Sequence, residues 1–298
     1  MIEAVNLTKR FDDIVAVDHI NASIQEGSVY GLIGTNGAGK STFLRMAAGI
    51  LKPEEGSVRL DGEDIFENEK AKSRIFYISD EQYYLANATP NDMVHYYSSF
   101  YPRMDQPRFA KLLQDFGLSG TRKINTFSKG MKKQLSVLLG ICSGTDYIFC
   151  DETFDGLDPV MRQAVKSLFA EEIDARGLTP IVASHNLREL EDICEHVGLL
   201  HKGGILLSRD LNDMKLNLHK VQCVWNKEEA PDFSGLDVIL TDRRGSLYTL
   251  TVRGTETEIE GKMDALAPVF YEMIPLSLEE IFISETEVAG YDIKKLIL

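Results

Sequence analysis

The sequence lacks long hydrophobic runs and any regular pattern of cysteines. Its longest apolar runs, such as Val137–Cys142, are far shorter than the roughly 18 residues that a membrane-spanning helix needs. The four cysteines have neither paired nor metal-type spacing, so we expect buried thiols in a reducing cytosol rather than disulfides. The N-terminal residues Met1–Phe11 mix acidic and basic side chains without an apolar stretch, and we therefore expect no signal peptide.

Basic residues are also scarce relative to acidic ones. The 32 lysines and arginines are outnumbered by 46 aspartates and glutamates, which gives a formal net charge of −14. Such a chain repels a polyphosphate backbone, so nucleic acid is disfavoured as its main partner. With 44% hydrophobic and 26% charged residues, the composition is that of a soluble globular protein and excludes disordered and collagen-like classes. A length of 298 residues fits one large and one small domain.

No internal repeat is visible, but the pattern of predicted strands and helices changes once along the chain, near residue 212. Residues 1–212 alternate short β-branched runs with helical patterns, which predicts a mainly parallel sheet covered by helices. Residues 213–298 predict a small α+β domain, with a connecting helix at Leu211–Leu218 and Ser277 as the N-cap of the last helix. The predicted elements are strands at Val221–Val224, Val238–Thr241, Leu247–Val252 and Val269–Ile274, a turn at Asp242–Gly245, and helices at Glu256–Leu266 and Leu278–Glu285.

A helical block is predicted inside the first domain, at about residues 81–140. Thr89 followed by Pro90 is a typical helix start, with threonine as the N-cap and proline at the first helical position. Aromatic residues are frequent in this block; we expect most of them in the core, and those before Thr89 are candidates for contact with a partner. An apolar stripe at helical spacing is formed by Phe109, Leu112, Leu113 and Phe116.

The sharpest motif is the glycine-rich loop, or phosphate loop, which matches G-x-x-x-x-G-K-[ST]. The apolar run Val29–Ile33 predicts a strand before it, and Thr42–Ile50 predicts a helix after it. In this arrangement backbone N–H groups and the helix N-terminus surround phosphate oxygens. Lys40 is then expected to neutralise the β- and γ-phosphates, and Ser41 to supply a hydroxyl to Mg²⁺. The predicted nucleotide-binding residues here are Gly34, Thr35, Asn36, Gly37, Ala38, Gly39, Lys40, Ser41 and Thr42.

Two carboxylates follow a second buried strand. Tyr147–Cys150 is an apolar run that brings Asp151 and Glu152 to the carboxyl end of the sheet, where open α/β sheets bind ligands. We expect Asp151 to hold Mg²⁺ through water and Glu152 to act as the general base on the attacking water. A strand that ends in two acids is common on its own, and its occurrence after a phosphate-binding loop favours the functional interpretation.

Three further segments complete the pattern. Phe127–Met131 precedes an apolar helix, and Ser128 with the backbone N–H groups of that helix start predicts a second anion site. Asp155–Pro159 is predicted to form a tight turn into the next helix. Ile181–Ser184 predicts a short strand that brings His185 to the same edge of the sheet.

Taken together, these motifs resemble those of the nucleotide-binding subunit of an ATP-binding-cassette (ABC) transporter, over roughly residues 1–210. The resemblance implies a P-loop NTPase fold in which the glycine-rich loop is the Walker A motif and Ile148–Glu152 is the Walker B motif. It makes Phe127–Met131 the signature loop, Thr153–Asp158 the D-loop and His185 the switch histidine.

The resemblance also implies the roles of individual residues. Glu152 and His185 would be catalytic, Phe11 would stack on adenine, and Val17 would contact the nucleotide. The signature residues would act in trans, on the nucleotide bound by a second copy of the subunit. The sets implied in this way are Ser128, Lys129, Gly130 and Met131 for the signature loop, Asp158 for the D-loop, and Ser41, Asp80 and Asp151 for the metal.

The sequence departs from the family pattern at several positions. Lys129 and Met131 replace the usual glycine and glutamine of the signature loop, and the lysine resembles a variant of single-cassette drug and peptide exporters. In the Q-loop, Asp80 stands where the family has a glutamine, and Gln82 is the alternative if the register is shifted by two. An aspartate adds negative charge close to the triphosphate, so we expect Asp80→Gln to keep or raise basal ATPase activity.

The implied function is that of an ATPase subunit that drives transport, with ATP and Mg²⁺ as cofactors. Two copies, as a homodimer or a heterodimer, would bind each ATP head to tail. A separate transmembrane permease would receive the motion, so the chain would be cytoplasmic and peripheral on the inner face of the cell membrane, with export favoured. The alternatives are a soluble ABC ATPase of the ribosome or DNA, which the single cassette and acidic charge disfavour, and a regulatory module, which Glu152 and His185 disfavour.

Overall fold

The chain folds into two compact units, Met1–Ser208 and Arg209–Leu298. The computed structural model describes residues 1–191, 193–225 and 232–288, so the last ten residues of the predicted second domain lie outside the described part. Within these ranges, no helix is both long enough and apolar enough to cross a bilayer.

Up to residue 210, where the last strand of the first unit ends, the described residues form ten strands and seven α-helices. The strands are β1 (Ile2–Phe11), β2 (Ile14–Ile24), β3 (Tyr30–Ile33), β4 (Glu55–Leu60), β5 (Glu63–Asp64), β6 (Ile75–Ile78), β7 (Tyr147–Asp151), β8 (Thr179–Ser184), β9 (His196–His201) and β10 (Gly204–Asp210). The helices are α1 (Lys40–Ala47), α2 (Glu69–Lys72), α3 (Pro90–Ser98), α4 (Gln106–Asp115), α5 (Lys129–Cys142), α6 (Pro159–Arg176) and α7 (Leu187–Glu191).

The predicted parallel sheet forms the centre of this unit. Its strand order is β10-β9-β3-β8-β7-β6, and β3, β7 and β8 pair in parallel with their neighbours in the middle of the sheet. These three strands are buried along their whole length, as expected for a sheet covered on both faces. Because parallel strands end at the same edge, the residues that follow β3, β7 and β8 lie together there.

A second sheet in this unit was not predicted. Strands β2-β1-β4-β5 form an antiparallel sheet, in which β1 pairs with both β2 and β4. The sheet and helix α1 share one hydrophobic core, which contains Leu7, Phe43 and Tyr147 among its fully buried residues. The prediction of one mainly parallel sheet was therefore incomplete, because alternation within single strands does not reveal which strands pair.

The helical block contains α3, α4 and α5. Thr89 caps α3 as predicted: its backbone N–H donates to Asp92 Oδ2 at 2.8 Å, and the Asp92 N–H donates to Thr89 Oγ1 at 3.2 Å. The last residue of the predicted apolar stripe, Phe116, comes just after α4 ends. The other stripe residues are buried on α4: Phe109, Leu112 and Leu113.

The second unit is an antiparallel sheet with helices, as the sequence predicts. Its elements are α8 (Leu211–Asn217), β11 (Leu218–Val224), β12 (Asp237–Arg244), β13 (Leu247–Arg253), α9 (Glu256–Leu266), β14 (Phe270–Pro275) and α10 (Leu278–Val288), with strand order β12-β13-β11-β14. The predicted turn at Asp242–Gly245 was placed too early, because Arg244 pairs with Leu247 across the hairpin and Gly245, at φ 64°, makes the turn. Ser277 caps α10 as predicted, accepting from the Glu280 N–H at 3.3 Å.

Candidate nucleotide-binding site

The glycine-rich loop joins β3 to α1 at the carboxyl edge of the parallel sheet. Helix α1 begins at Lys40, two residues before the predicted start, because Gly39 adopts a left-handed conformation (φ 102°) and forms its N-cap. A Cβ at Gly39 would lie 2.2 Å from the Ala16 carbonyl oxygen, and one at Gly34 would lie 2.6 Å from the Leu200 carbonyl oxygen. The loop therefore packs against the backbone of two other segments and needs glycine at both contacts.

We predict that Gly39→Ala lowers the free energy of unfolding much more than Gly37→Ala does. Both glycines have positive φ, but among the described residues no atom lies within 4 Å of a Cβ built on Gly37. Gly37→Ala should lower the free energy of unfolding by about 1 kcal/mol, the cost of a left-handed backbone, and Gly39→Ala by about 3 kcal/mol or more. Urea unfolding of the two variants measures the difference, and equal losses would contradict the packing of Gly39 against Ala16.

Lys40 is buried and faces the carboxylate of Glu152. Its Nζ donates to the carbonyl oxygens of Gly34 at 2.7 Å and Thr35 at 3.3 Å, and it lies 3.2 Å from Glu152 Oε1. Only 5% of the side chain is exposed. The ammonium group thus stays inside the loop and pairs with Glu152, so an entering phosphate would compete with that carboxylate for the same cation.

Asp151, at the end of β7, is held by two hydroxyl groups. Ser41 Oγ donates to Asp151 Oδ1 at 2.9 Å, and the Tyr77 hydroxyl donates to Asp151 Oδ2 at 3.0 Å. Burial raises the pKa of the Asp151 carboxyl, while these hydrogen bonds act in the opposite direction. A buried carboxylate next to a serine hydroxyl supplies the oxygen ligands that Mg²⁺ prefers, so Ser41 and Asp151 fit the predicted metal. Tyr77 was not predicted.

Glu152 is held in a strained backbone conformation and contacts His185. Its φ is 48°, a left-handed conformation that costs a non-glycine residue about 1–2 kcal/mol. The His185 Nδ1 lies 2.8 Å from Glu152 Oε2, and the His185 backbone N–H donates to the same oxygen at 3.4 Å. Strands β7 and β8 bring the two residues together because they are neighbours in the sheet.

Lys40, Ser41, Glu152 and His185 line an open cavity of about 550 Å³, and Asp151 lies behind its wall. The cavity is also lined by four residues that were not predicted as site residues: Ile14, Val15, Ala16 and Asp155. Of these, Asp155 could have been found from the sequence, because it lies in the predicted D-loop. Of the predicted residues, Gly34, Thr35 and Ala38 shape the loop behind the cavity wall. The predicted residues on the cavity wall are Asn36, Gly37, Gly39, Lys40, Ser41, Thr42, Asp80, Glu152 and His185.

Two further predicted nucleotide contacts, Phe11 and Val17, do not line this cavity in the described structure. Val17 is fully buried in the core of the first unit, so its assignment to the nucleotide is not supported; Val15 and Ala16 line the cavity instead. The pairing register of β2 with β1 shifts between Val17 and Val15, and this bulge interrupts the regular alternation of side chains, with Val17 turned into the core. Phe11, at the end of β1, is 46% exposed, and Lys9 Nζ lies 5.5 Å from its ring centre.

The signature loop begins at the buried Phe127 and then reaches the surface, and its residues do not line this cavity in the described structure. Ser128 caps α5 by accepting from the Met131 N–H at 3.2 Å, and both Ser128 and Lys129 are exposed. A Cβ on Gly130 would lie 3.3 Å from the Gly156 carbonyl oxygen, so the signature loop adjoins the D-loop. Within the part of the chain that the structure describes, the cavity wall contains none of the four signature residues.

The D-loop residue Asp158 has a structural contact of its own. Its side chain caps α6, with Oδ1 accepting from the N–H groups of Val160 and Met161, both at 3.0 Å. The cap explains an aspartate at this position without a ligand, and a role in nucleotide binding stays a prediction.

Asp80 and Gln82 face different cavities. Asp80 lines the cavity of the phosphate loop, whereas Gln82 lines a second cavity between the loop after β6 and the helical block. The Gln82 side-chain amide donates to the backbone oxygens of Ser79 at 3.0 Å and Asp80 at 2.9 Å. This placement favours Asp80 over Gln82 as the residue near the phosphates.

Comparison with known proteins decides the family. A family model described as "ABC transporter" matches residues 17–155. The chain is 32% identical over 213 residues to the bacitracin transport ATP-binding protein BcrA of Bacillus licheniformis, over 69% of this chain and 68% of that protein. The chain belongs to the ATP-binding proteins of ABC transporters. This confirms the resemblance drawn from the motifs.

A further relative matches almost the whole length of this ABC protein, and a solved structure shares its fold. It is 28% identical over 285 residues to the ABC transporter ATP-binding protein YtrB of Bacillus subtilis, covering 96% of this chain and 98% of that one, so the similarity includes the second unit. A solved dimeric ATP-binding cassette in a post-hydrolysis state with ADP and Pi covers 71% of this chain, with a TM-score of 0.64 and 21% identity. The P-loop NTPase fold is thus confirmed, and as a member of this family the chain is a transport-linked ATPase.

Proposed function

We propose that this ABC subunit binds Mg·ATP in the cavity of the glycine-rich loop and hydrolyses it there. The observation that carries the proposal is the convergence of Lys40, Ser41 and the Glu152–His185 pair on one cavity, with Asp151 bonded to Ser41 behind the cavity wall. Lys40 binds the β- and γ-phosphates, and Ser41 with Asp151 holds Mg²⁺, which supplies charge neutralisation at the phosphates. Glu152 takes the proton of the attacking water, and His185 orients that carboxylate.

A second copy of an ATPase subunit completes the site in this proposal. The signature residues Ser128, Lys129, Gly130 and Met131 are near the surface and lie off the wall of their own cavity. Their helix start can bind the γ-phosphate held by another copy, as a head-to-tail dimer requires. ATP contacts both surfaces and stabilises the closed dimer, and hydrolysis then reopens it.

We propose that a transmembrane permease docks on the helical block. An aromatic groove of about 400 Å³ lies between β6, the loop after it, and helices α3 and α5. Tyr83 is 79% exposed at this groove, and Phe100 is 58% exposed. Exposed aromatic side chains are enriched at protein interfaces. Docking there places the chain at the inner face of the cell membrane, and the lysine of the signature loop favours export as the direction.

Tyr83→Ser should weaken binding of the permease without changing nucleotide affinity. The substitution removes an exposed ring from the groove, and Tyr83 does not line the cavity of the phosphate loop. We expect a loss of tenfold or more in affinity for the permease, about 1.4 kcal/mol, which is typical of a central aromatic at an interface. Co-purification of the permease followed by titration in detergent measures the affinity. Phe270→Ser, at a ring 52% exposed in the second unit, is the control.

The decisive test of the whole proposal is reconstitution. The chain and its co-purified permease are placed in liposomes, and ATP turnover and movement of candidate substrates are measured together. Transport that requires Mg·ATP and is lost in Glu152→Gln supports the proposal; ATP turnover with no permease bound under any condition would contradict it.

We also propose that the nucleotide site belongs entirely to the first unit. The domain division from the sequence, 1–212 and 213–298, assigns every predicted nucleotide contact to the ATPase domain. The second unit has a core of its own around Val221, Leu250 and Ile259, which is consistent with a separate accessory domain.

A further inference from the structure

Lys133 is a buried charge that the proposed mechanism does not use. It lies on α5, the helix that starts at the signature loop, and its side chain is fully buried. The Nζ donates to the Glu152 carbonyl oxygen at 2.6 Å and lies 3.3 Å from Asp80 Oδ1. One ammonium group thus joins the signature helix to the two loops that follow β6 and β7.

The charge of Lys133 is paired with that of Asp80. A buried ammonium is stable only when paired and hydrogen-bonded, and Lys133 obtains both from Asp80 and the Glu152 carbonyl. Asp80 in turn is 51% exposed and faces the cavity of the phosphate loop. The family pattern has a neutral glutamine at this position, and the Asp80–Lys133 pair is neutral as well.

We propose that Lys133 is a positioning residue that makes Asp80 compatible with a bound triphosphate and holds the backbone of Glu152. This rests on the proposed nucleotide site. With Lys133 present, Asp80 supplies a carboxylate oxygen near the metal site without adding net negative charge. The screening that a lone aspartate would need from Mg²⁺ or a permease is provided within the chain.

The second role of Lys133 concerns the strained Glu152. The Glu152 N–H donates to the Ala183 carbonyl oxygen at 3.0 Å, and its own carbonyl accepts from Lys133. These two bonds fix both sides of a residue at φ 48°. Loss of the Lys133 bond releases one side, and the carboxylate then leaves the position set by His185 and Lys40.

The pair also changes the expectation for Asp80→Gln. The sequence alone suggested that this change keeps or raises basal activity, because it removes a negative charge. In the structure it also removes the counter-ion of a buried lysine, so the variant should leave a positive charge that attracts the phosphates and lowers the free energy of unfolding.

A double-mutant cycle of Lys133→Met and Asp80→Asn tests the charge pairing. In the full chain, the affinity for a non-hydrolysable ATP analogue is measured with Mg²⁺ by calorimetry. Lys133→Met leaves an unpaired carboxylate at the phosphates and should raise Kd about threefold to tenfold, whereas Asp80→Asn leaves an unpaired cation and should lower Kd by a similar factor. The double variant should return to within about twofold of wild type.

The rate constant separates the two roles. Lys133→Met should lower kcat about tenfold or more through Glu152, and the double variant should keep that low kcat although its Kd recovers. Lys133→Arg, which retains a charged donor, should recover most of the kcat. Lys132→Met is the matched control on the same helix, and we expect its Kd and kcat to stay within about twofold of wild type.

The results that would contradict the charge pairing, the backbone role and the nucleotide site differ from one another. Shifts of Kd in the same direction in both single variants, or simple addition in the double variant, would overturn the pairing. Recovery of kcat in the double variant would overturn the backbone role. If Lys40→Ala binds the analogue as well as wild type, the proposed nucleotide site itself fails; if Lys40→Ala loses binding and the cycle shows no coupling, only the inference about Lys133 fails.

Discussion

Lys40→Ala is expected to raise the Kd for Mg·ATP at least about 100-fold, because the phosphate loop loses its motif cation. Only 5% of the Lys40 side chain is exposed, and its ammonium group is held by the carbonyl oxygens of Gly34 and Thr35. Water therefore cannot take over the role of this cation in the variant. The variant also leaves Glu152 without the 3.2 Å ion pair, which adds an unpaired carboxylate to the site. Calorimetric titration with an ATP analogue measures the loss.

A surface lysine provides the control for this loss. Lys70, whose side chain is 80% exposed and pairs only with the exposed Glu63 in the described structure, should tolerate Lys70→Ala with no change in Kd. Circular dichroism and thermal unfolding show whether the Lys40 variant is folded. A folded Lys40→Ala protein with wild-type affinity would mean that the glycine-rich loop is not the phosphate site.

Glu152→Gln is expected to bind ATP and to hydrolyse it at about one hundredth of the wild-type rate or less. An amide cannot accept the proton of the attacking water, and loss of a general base typically costs 10²–10⁴-fold. In the wild-type chain Lys40 pairs with Glu152 at 3.2 Å. The amide of the variant does not compete with phosphate for this cation, so ATP binding should be retained or tightened. The bound ATP then persists, and the closed dimer should accumulate.

Size-exclusion chromatography at high micromolar protein tests this accumulation. The variant should run as a dimer with Mg·ATP and as a monomer with Mg·ADP, because only ATP offers a γ-phosphate to the second signature loop. Glu171→Gln, which changes an exposed carboxylate on α6, should hydrolyse ATP normally and should not accumulate as a dimer. A strictly monomeric Glu152→Gln profile with Mg·ATP would count against the head-to-tail arrangement.

Local features of the chain were predictable because their causes are local. Thr89 begins a helix since its side chain and that of Asp92 satisfy each other's backbone N–H groups within four residues. The order of buried strands, each followed by chemically distinctive residues, was sufficient to place Lys40, Asp151, Glu152 and His185 at one edge of a parallel sheet. The antiparallel pairing of β1 with β4 was not predictable in this way, because it depends on segments far apart in the sequence.

The environment of single side chains was decided by the tertiary structure. Lys132 and Lys133 are adjacent lysines, yet only Lys133 is fully buried. Its partner Asp80 lies 53 residues away along the chain, so the local sequence does not distinguish the two lysines. Val15 and Val17 are equally apolar, and a bulge in the pairing of β2 with β1 separates them, with the first on the cavity wall and the second in the core. The order of motifs in the sequence was sufficient for the family and the fold class, and it predicted which residues meet at the carboxyl edge of the parallel sheet. Only the folded chain decided that Asp80 is paired with a buried lysine, because that contact exists only when three distant segments meet.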